Sequence, residues 1–184
     1  PGGTIAPTGG YLAGRAELVE AALCRLSAPG IGRAGGATLD QSRLLYQGLF
    51  LAPQMVAEAL KSNVLIAQTF EQLGYPVSPA AADPQRDVIL AILLGSAAKL
   101  VAFCRAVQQW SPVEAYVEPV PAAQPGYDSE LIMAGGTFID GSTAELSADG
   151  PLREPYIVYC QGGTHWTHAA LAMDAAAAAV SATP

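Results

Sequence analysis

The residues able to do chemistry are few and widely spaced. His165 and His168 lie three apart, close to Cys160. That spacing invites zinc, but a zinc site needs four converging ligands, or three and a water. No second cysteine or nearby carboxylate completes such a set, so the two histidines read as packing or capping residues at the start of a helix. A serine hydrolase is unsupported, because Gly141-Ser142 lacks the G-x-S-x-G elbow. Glu145, Asp149 and Glu154 do not form a recognisable acid/base pair and read as solvated or ion-paired. Lys61 reads as a solvated helix residue. Arg153 is the most informative charge, since it stands between Pro151 and Pro155 at the mouth of an apolar strand. A planar guanidinium held this way suits bidentate recognition of a carboxylate. The alternative is an ion pair with Asp149 or Glu154, and the residues alone leave both open.

Two glycine-rich turns could approach a ligand through the backbone. The first, Pro-Gly-Gly-Thr-Ile-Ala-Pro-Thr-Gly-Gly-Tyr-Leu-Ala-Gly over residues 1–14, precedes any periodic segment. A turn of this composition normally connects two elements, so the chain reads as starting in mid-domain. The second contains Gly30, Gly32 and Gly35 in a formal G-x-G-x-x-G. It follows a helix rather than a strand, so the dinucleotide context is missing and a plain connection is the better reading.

These residues need elements to position them. Residues 10–14 suit a short buried strand, and residues 15–27 a helix with Leu18, Val19, Ala22, Leu23 and Leu26 on one face. Thr38 or Asp40 can cap a helix through Phe50. Pro53 can open a longer helix to Gly74, with Ala57, Leu60, Val64, Ala67 and Phe70 at helical spacing. Further on, residues 87–94 read as a buried strand and residues 96–110 as an amphipathic helix. Residues 131–134, 137–139, 143–146 and 156–160 read as short strands, and residues 164–180 as the last helix. The proline-rich stretch 112–127 is a long loop. The pattern predicts an open sheet with helices on one face.

At 184 residues and 51% hydrophobic the chain can bury a sizeable core. Nine basic against sixteen acidic residues, a formal charge of −7, and no basic cluster argue against a nucleic-acid partner. No apolar run reaches the roughly 18 residues of a membrane span. Cys24, Cys104 and Cys160 are an odd number at wide spacing and suggest no disulfide framework. A reducing, cytoplasmic setting is the default expectation.

Several uncommon motifs occur together and in order. They are the opening run through Arg15, Leu-Ser-Ala-Pro-Gly-Ile-Gly-Arg at 26–33, and Gln-Gly-Leu-Phe-Leu-Ala-Pro at 47–53. Gly-Gly-Thr-Phe-Ile follows at 135–139 and Glu-Leu-Ser-Ala-Asp-Gly-Pro-Leu-Arg at 145–153. Over nearly its whole length the chain resembles the methionine gamma-lyase-like family, also called aluminium-resistance or cystathionine beta-lyase-like proteins.

The resemblance implies an α/β fold: the C-terminal half of an aspartate-aminotransferase-like, fold type I, pyridoxal-phosphate enzyme. Residues 1–52 would end the large cofactor-binding domain, 53–74 form a bridging helix, and 75–184 make a small α+β domain. The family's Schiff-base lysine would fall just before Pro1, outside this chain, and neither Lys61 nor Lys99 sits in a matching motif. Thr8, Gly9 and Gly10 resemble the turn that offers backbone N–H groups to the cofactor phosphate of an adjacent subunit. Arg153 resembles the arginine that clamps the substrate α-carboxylate. No metal ligand is implied.

The implied reaction is elimination of a thiol from a sulfur amino acid, with the cofactor as electron sink. Transamination or aldol-type cleavage on the same fold is the enzymatic alternative, and a non-catalytic chain that binds a partner is the other. The implied partners are the sulfur amino acid, the missing N-terminal half, and further copies in a homodimer or homotetramer. The chain alone is expected to be inactive.

Overall fold

The computed structural model describes residues 5–6, 11–35, 39–135 and 144–184. Two stretches expected to be strands fall differently. Residues 11–15 form no strand, and Tyr11 and Leu12 are exposed. The run is apolar, but no strand among the described residues pairs with it. Residues 137–139 and Thr143 lie outside the described residues.

Helix α1 (Ala16–Leu26) forms as its periodicity predicts, yet none of its residues is buried. A single 3-10 turn (Gly32–Ala34) links it onward. Helix α2 (Ser42–Gln72) is one continuous helix of 31 residues rather than two. Pro53 lies inside it instead of opening it, exposed, where the missing N–H costs one backbone bond without ending the helix. The 52/53 boundary therefore falls within one element. Among the described residues no side chain caps its N-terminus, and Asp40 is instead in the left-handed region. Thr38 lies outside the described residues.

The buried stripe of α2 is Glu58, Ala59, Ser62, Asn63, Ile66, Ala67 and Phe70. This differs from the predicted apolar face, for Val64 is exposed. Ala67 and Phe70 of that face are buried, but three polar residues also take inward positions, so hydrophobic periodicity finds only part of the buried edge.

Strands β1 (Val77–Ser78), β2 (Ile89–Leu93), β3 (Leu131–Ala134), β4 (Ser147–Pro151) and β5 (Ile157–Gln161) build one antiparallel sheet in the order β1-β2-β5-β4-β3. Helix α3 (Ala97–Gln109) opens with Ser96 Oγ accepting from the backbone N–H of Lys99. Helix α4 (Trp166–Ala182) follows β5. Helices α2 and α3 pack on one face of the sheet, as predicted, and α4 packs against both of them. The core joins Ile66 and Phe70 of α2, Leu90 and Ile92 of β2, Leu100 and Phe103 of α3, Ile132, Val158, and Met173 and Val180 of α4. Phe70 and Phe103 rings meet at 5.3 Å between centroids.

Strand β4 replaces the expected strand at 143–146. Ser-Ala-Asp-Gly-Pro has poor strand propensity, but it is paired on both sides. A Cβ on Gly150 would lie 2.4 Å from the Ile157 carbonyl and 3.0 Å from Leu100, so only glycine lets the neighbouring chain come this close. At the other end of β5, a Cβ on Gly162 would lie 2.1 Å from the Ala59 carbonyl. That contact seats the β5–α4 connection directly on the α2 backbone.

Cys104 and Cys160 are buried in the core, and Cys24 is exposed on α1. Burial raises both core thiols well above the ordinary range for cysteine.

The open sheet face and its two ends

The face of the sheet away from the helices presents Met133, Asp149, Tyr159, Ile89 and Ala91, with Met133, Ile89 and Tyr159 each about two-fifths exposed. Asp149 is paired across the strands with Tyr159 on one side and Met133 on the other. Partial burial among these residues pushes its carboxyl above the usual carboxylate range.

Arg153 lies in the tight β4–β5 connection. Leu152 donates its N–H to the Glu130 carbonyl at 2.8 Å, and Tyr156, in the left-handed region, donates to the Arg153 carbonyl at 2.8 Å. The backbone at Arg153 is thus constrained, as its flanking prolines suggest. Its side chain is exposed and makes no ion pair with a described residue, so the expected alternative partners Asp149 and Glu154 are not within reach. Thr8, Gly9 and Gly10 lie outside the described residues, so nothing places them against Arg153.

The Gln161 end of the sheet is the opposite one. Here Glu58 of α2, buried, accepts from Lys61 Nζ at 2.7 Å through Oε1 and from the Trp166 N–H at 3.1 Å through Oε2. It therefore satisfies an orphan donor at the start of α4. The bond from Lys61, followed by that from Trp166, holds its carboxyl below the usual range. Lys61 is an ion-pair partner of this buried carboxylate, more than a solvated helix residue. His165 caps α4, its Nδ1 accepting from the Thr167 N–H, and His168 Nε2 donates to the Trp110 carbonyl at the end of α3. Both histidines act as capping and packing groups. Among the described residues no three of His, Cys, Asp and Glu come together in a way that could hold a metal ion.

A cavity of about 560 Å³ opens where the sheet face meets the β1–β2 connection. It is lined by Ile89, Ala91 and Tyr159 from the strands and by Pro79, Asp83, Pro84, Arg86 and Asp87 from the loop. Sequence reasoning missed it. The charged run Asp-Pro-Gln-Arg-Asp at 83–87, placed directly before a strand, was the available signal. Tyr159 meets Ala91 only through long-range pairing.

A pyridoxal-phosphate anchor needs a lysine free to form a Schiff base. The lysines of this chain are Lys61 and Lys99. Lys61 is held by Glu58, and Lys99 Nζ lies 5.6 Å from the centre of the Tyr75 ring. Neither lines the cavity.

Comparison with known proteins gives the relatives of this arrangement. The chain is 47% identical over 168 residues to the uncharacterized protein YnbB of Bacillus subtilis, covering 91% of this chain and 40% of YnbB. Among solved structures, a Listeria monocytogenes protein described as a candidate cystathionine beta-lyase involved in aluminium resistance superposes with a TM-score of 0.90 at 44% identity, covering 98% of this chain and 44% of that one. A carbon-sulfur lyase involved in aluminium resistance from Clostridium novyi matches with a TM-score of 0.84 at 44% identity, over 97% of this chain and 41% of that one. The chain thus spans less than half the length of these relatives. A model of the family described as methionine gamma-lyase matches residues 1–181, and the chain belongs to that family.

Proposed function

We propose that this chain is part of a carbon–sulfur lyase that eliminates a thiol from a sulfur amino acid with pyridoxal phosphate as cofactor. The supporting observation is the sustained likeness, at 44% identity over nearly the whole chain, to structures named as lyases of this type. Family membership points to the same class. When bound, the cofactor supplies the electron sink for loss of the Cα proton.

We place this chain's contribution on the substrate side. The open sheet face offers apolar surface and fixed charges, and Arg153 is the carboxylate clamp that the family resemblance proposes. Holding the carboxylate fixes the orientation of the scissile bond. The Thr8, Gly9 and Gly10 turn is proposed to receive the cofactor phosphate, and the portion of the relatives not spanned here to bring the lysine. Assembly as a homodimer or homotetramer in the cytoplasm belongs to the same proposal.

The test uses the native protein from its source, supplied with pyridoxal phosphate and either L-methionine or L-cystathionine. Elimination releases a free thiol together with ammonia and a 2-oxoacid shortened by loss of the sulfur group. A 2-oxoacid that keeps the intact side chain, with the amino group moved to an acceptor, would replace the lyase reading with transamination. Absence of protein-bound cofactor absorbance after removal of free pyridoxal phosphate would favour the non-catalytic reading.

A further inference from the structure

We propose that the cavity beside β2 binds a free, zwitterionic amino acid with an apolar side chain, its carboxylate on Arg86. The walls of this cavity are built rather than incidental. Asp83 Oδ2 accepts from the Ala80 N–H at 3.2 Å, Gln85 Nε2 donates to the carbonyls of Ala80 and Asp83, and Glu71 Oε1 accepts from the Ala81 N–H at 3.0 Å. Asp87 Oδ1 accepts from the Ile89 N–H at 2.8 Å. These bonds fix the loop on both sides of Arg86.

Three charges line the space, and they are not mutually neutralised. Arg86 makes no ion pair with a described residue, although Asp83 and Asp87 line the same cavity. Each aspartate uses one oxygen on a backbone N–H and has its second oxygen unpartnered among the described residues. A simple anion would satisfy the guanidinium while facing two carboxylates, and a simple cation would face the guanidinium. A ligand carrying both charges answers all three, with its carboxylate in the guanidinium fork and its ammonium shared by the aspartates. Ile89, Ala91 and Tyr159 form an apolar floor for the side chain. A volume of about 560 Å³ falls in the usual range for small-molecule sites, about 300–1,000 Å³. Arg153, in contrast, does not line this cavity.

The ammonium must be free to meet the aspartates, so this is a non-covalent site and stands apart from the lyase reading. Titrating the 184-residue chain with L-methionine and following its amide resonances reads the site without turnover. Saturable shifts are expected at Arg86, Ile89, Ala91 and Tyr159. Arg86→Gln should weaken binding about tenfold, the scale of one lost charge-assisted pair, and Arg43→Gln, on the exposed start of α2, should leave it unchanged. On the unaltered chain, 4-(methylthio)butanoate and 3-(methylthio)propylamine, each lacking one of the two charges, should also bind about tenfold more weakly. These analogues keep the test decisive should a variant fail to fold. The proposal is overturned by the absence of saturable shifts, by shifts that map to Arg153 instead, or by equal binding of the butanoate, which would make this a plain anion site.

Discussion

Phe50 and Phe70 belong to the same helix, twenty positions apart, and live in different worlds. Phe70 is fully buried against Phe103 and Tyr75, whereas Phe50 is 83% exposed. The contrast extends to everything around them. From Glu58 onward α2 is clamped to β5 and α4, while before it Leu44, Tyr46, Leu49 and Phe50 are exposed and Gly48 is the one buried residue among Ser42 to Ala57. Helix α1 likewise buries nothing. A helix of 31 residues is about 46 Å long, and only its second half rests on the core. Secondary structure in this molecule extends beyond the part whose packing stabilises it. An apolar surface of this extent normally meets a partner, in keeping with relatives more than twice as long.

The largest test of the comparison is Phe70→Ala. Removing a ring from a closed cluster should cost about 3–5 kcal/mol, read as a fall in the denaturant midpoint. A loss below 1 kcal/mol would mean that the α2–α3 contact is not the centre of the core.

Acid should next separate the two halves at Glu58. Its carboxyl is held low in the folded state, so its contribution is complete above the ordinary carboxylate range and is lost as pH falls through the lowered native value. Asp149 has the opposite sign, since its raised native value favours the folded state at acid pH and withdraws that advantage as pH rises. Glu58→Gln should therefore flatten the acid limb of the stability profile, and an unchanged limb would show that the Lys61 and Trp166 contacts together carry no weight.

The smallest effect is expected at Phe50→Ala, within about 0.5 kcal/mol for the chain by itself. Its signature is reduced self-association in sedimentation, with an unaltered unfolding midpoint. A large stability loss would erase the distinction between the two halves.

Much of this was legible beforehand. The helical spacing of α1, the amphipathic run of α3, the short strand β3 and the last helix α4 announce themselves through local rules. What stayed hidden depends on contacts between distant residues. Ser-Ala-Asp-Gly-Pro becomes β4 because two strands hold it and Gly150 admits them closely. The inward face of α2 escapes a hydrophobic reading because Glu58, Ser62 and Asn63 occupy it. Arg153 could be singled out from its prolines, whereas Arg86 acquires meaning only once Ala91 and Tyr159 are neighbours across two strands.

The placement of the cysteines turns the molecule into its own timekeeper. Cys24 stands in solvent on the half of the structure that contributes least to the core, and the thiols of Cys104 and Cys160 are shielded and kept protonated by burial. An alkylating reagent therefore finds one thiol at once and reaches the other two only when the core opens. The lag between the first label and the rest measures, in a single mass spectrum series, how often the sheet and its three helices come apart.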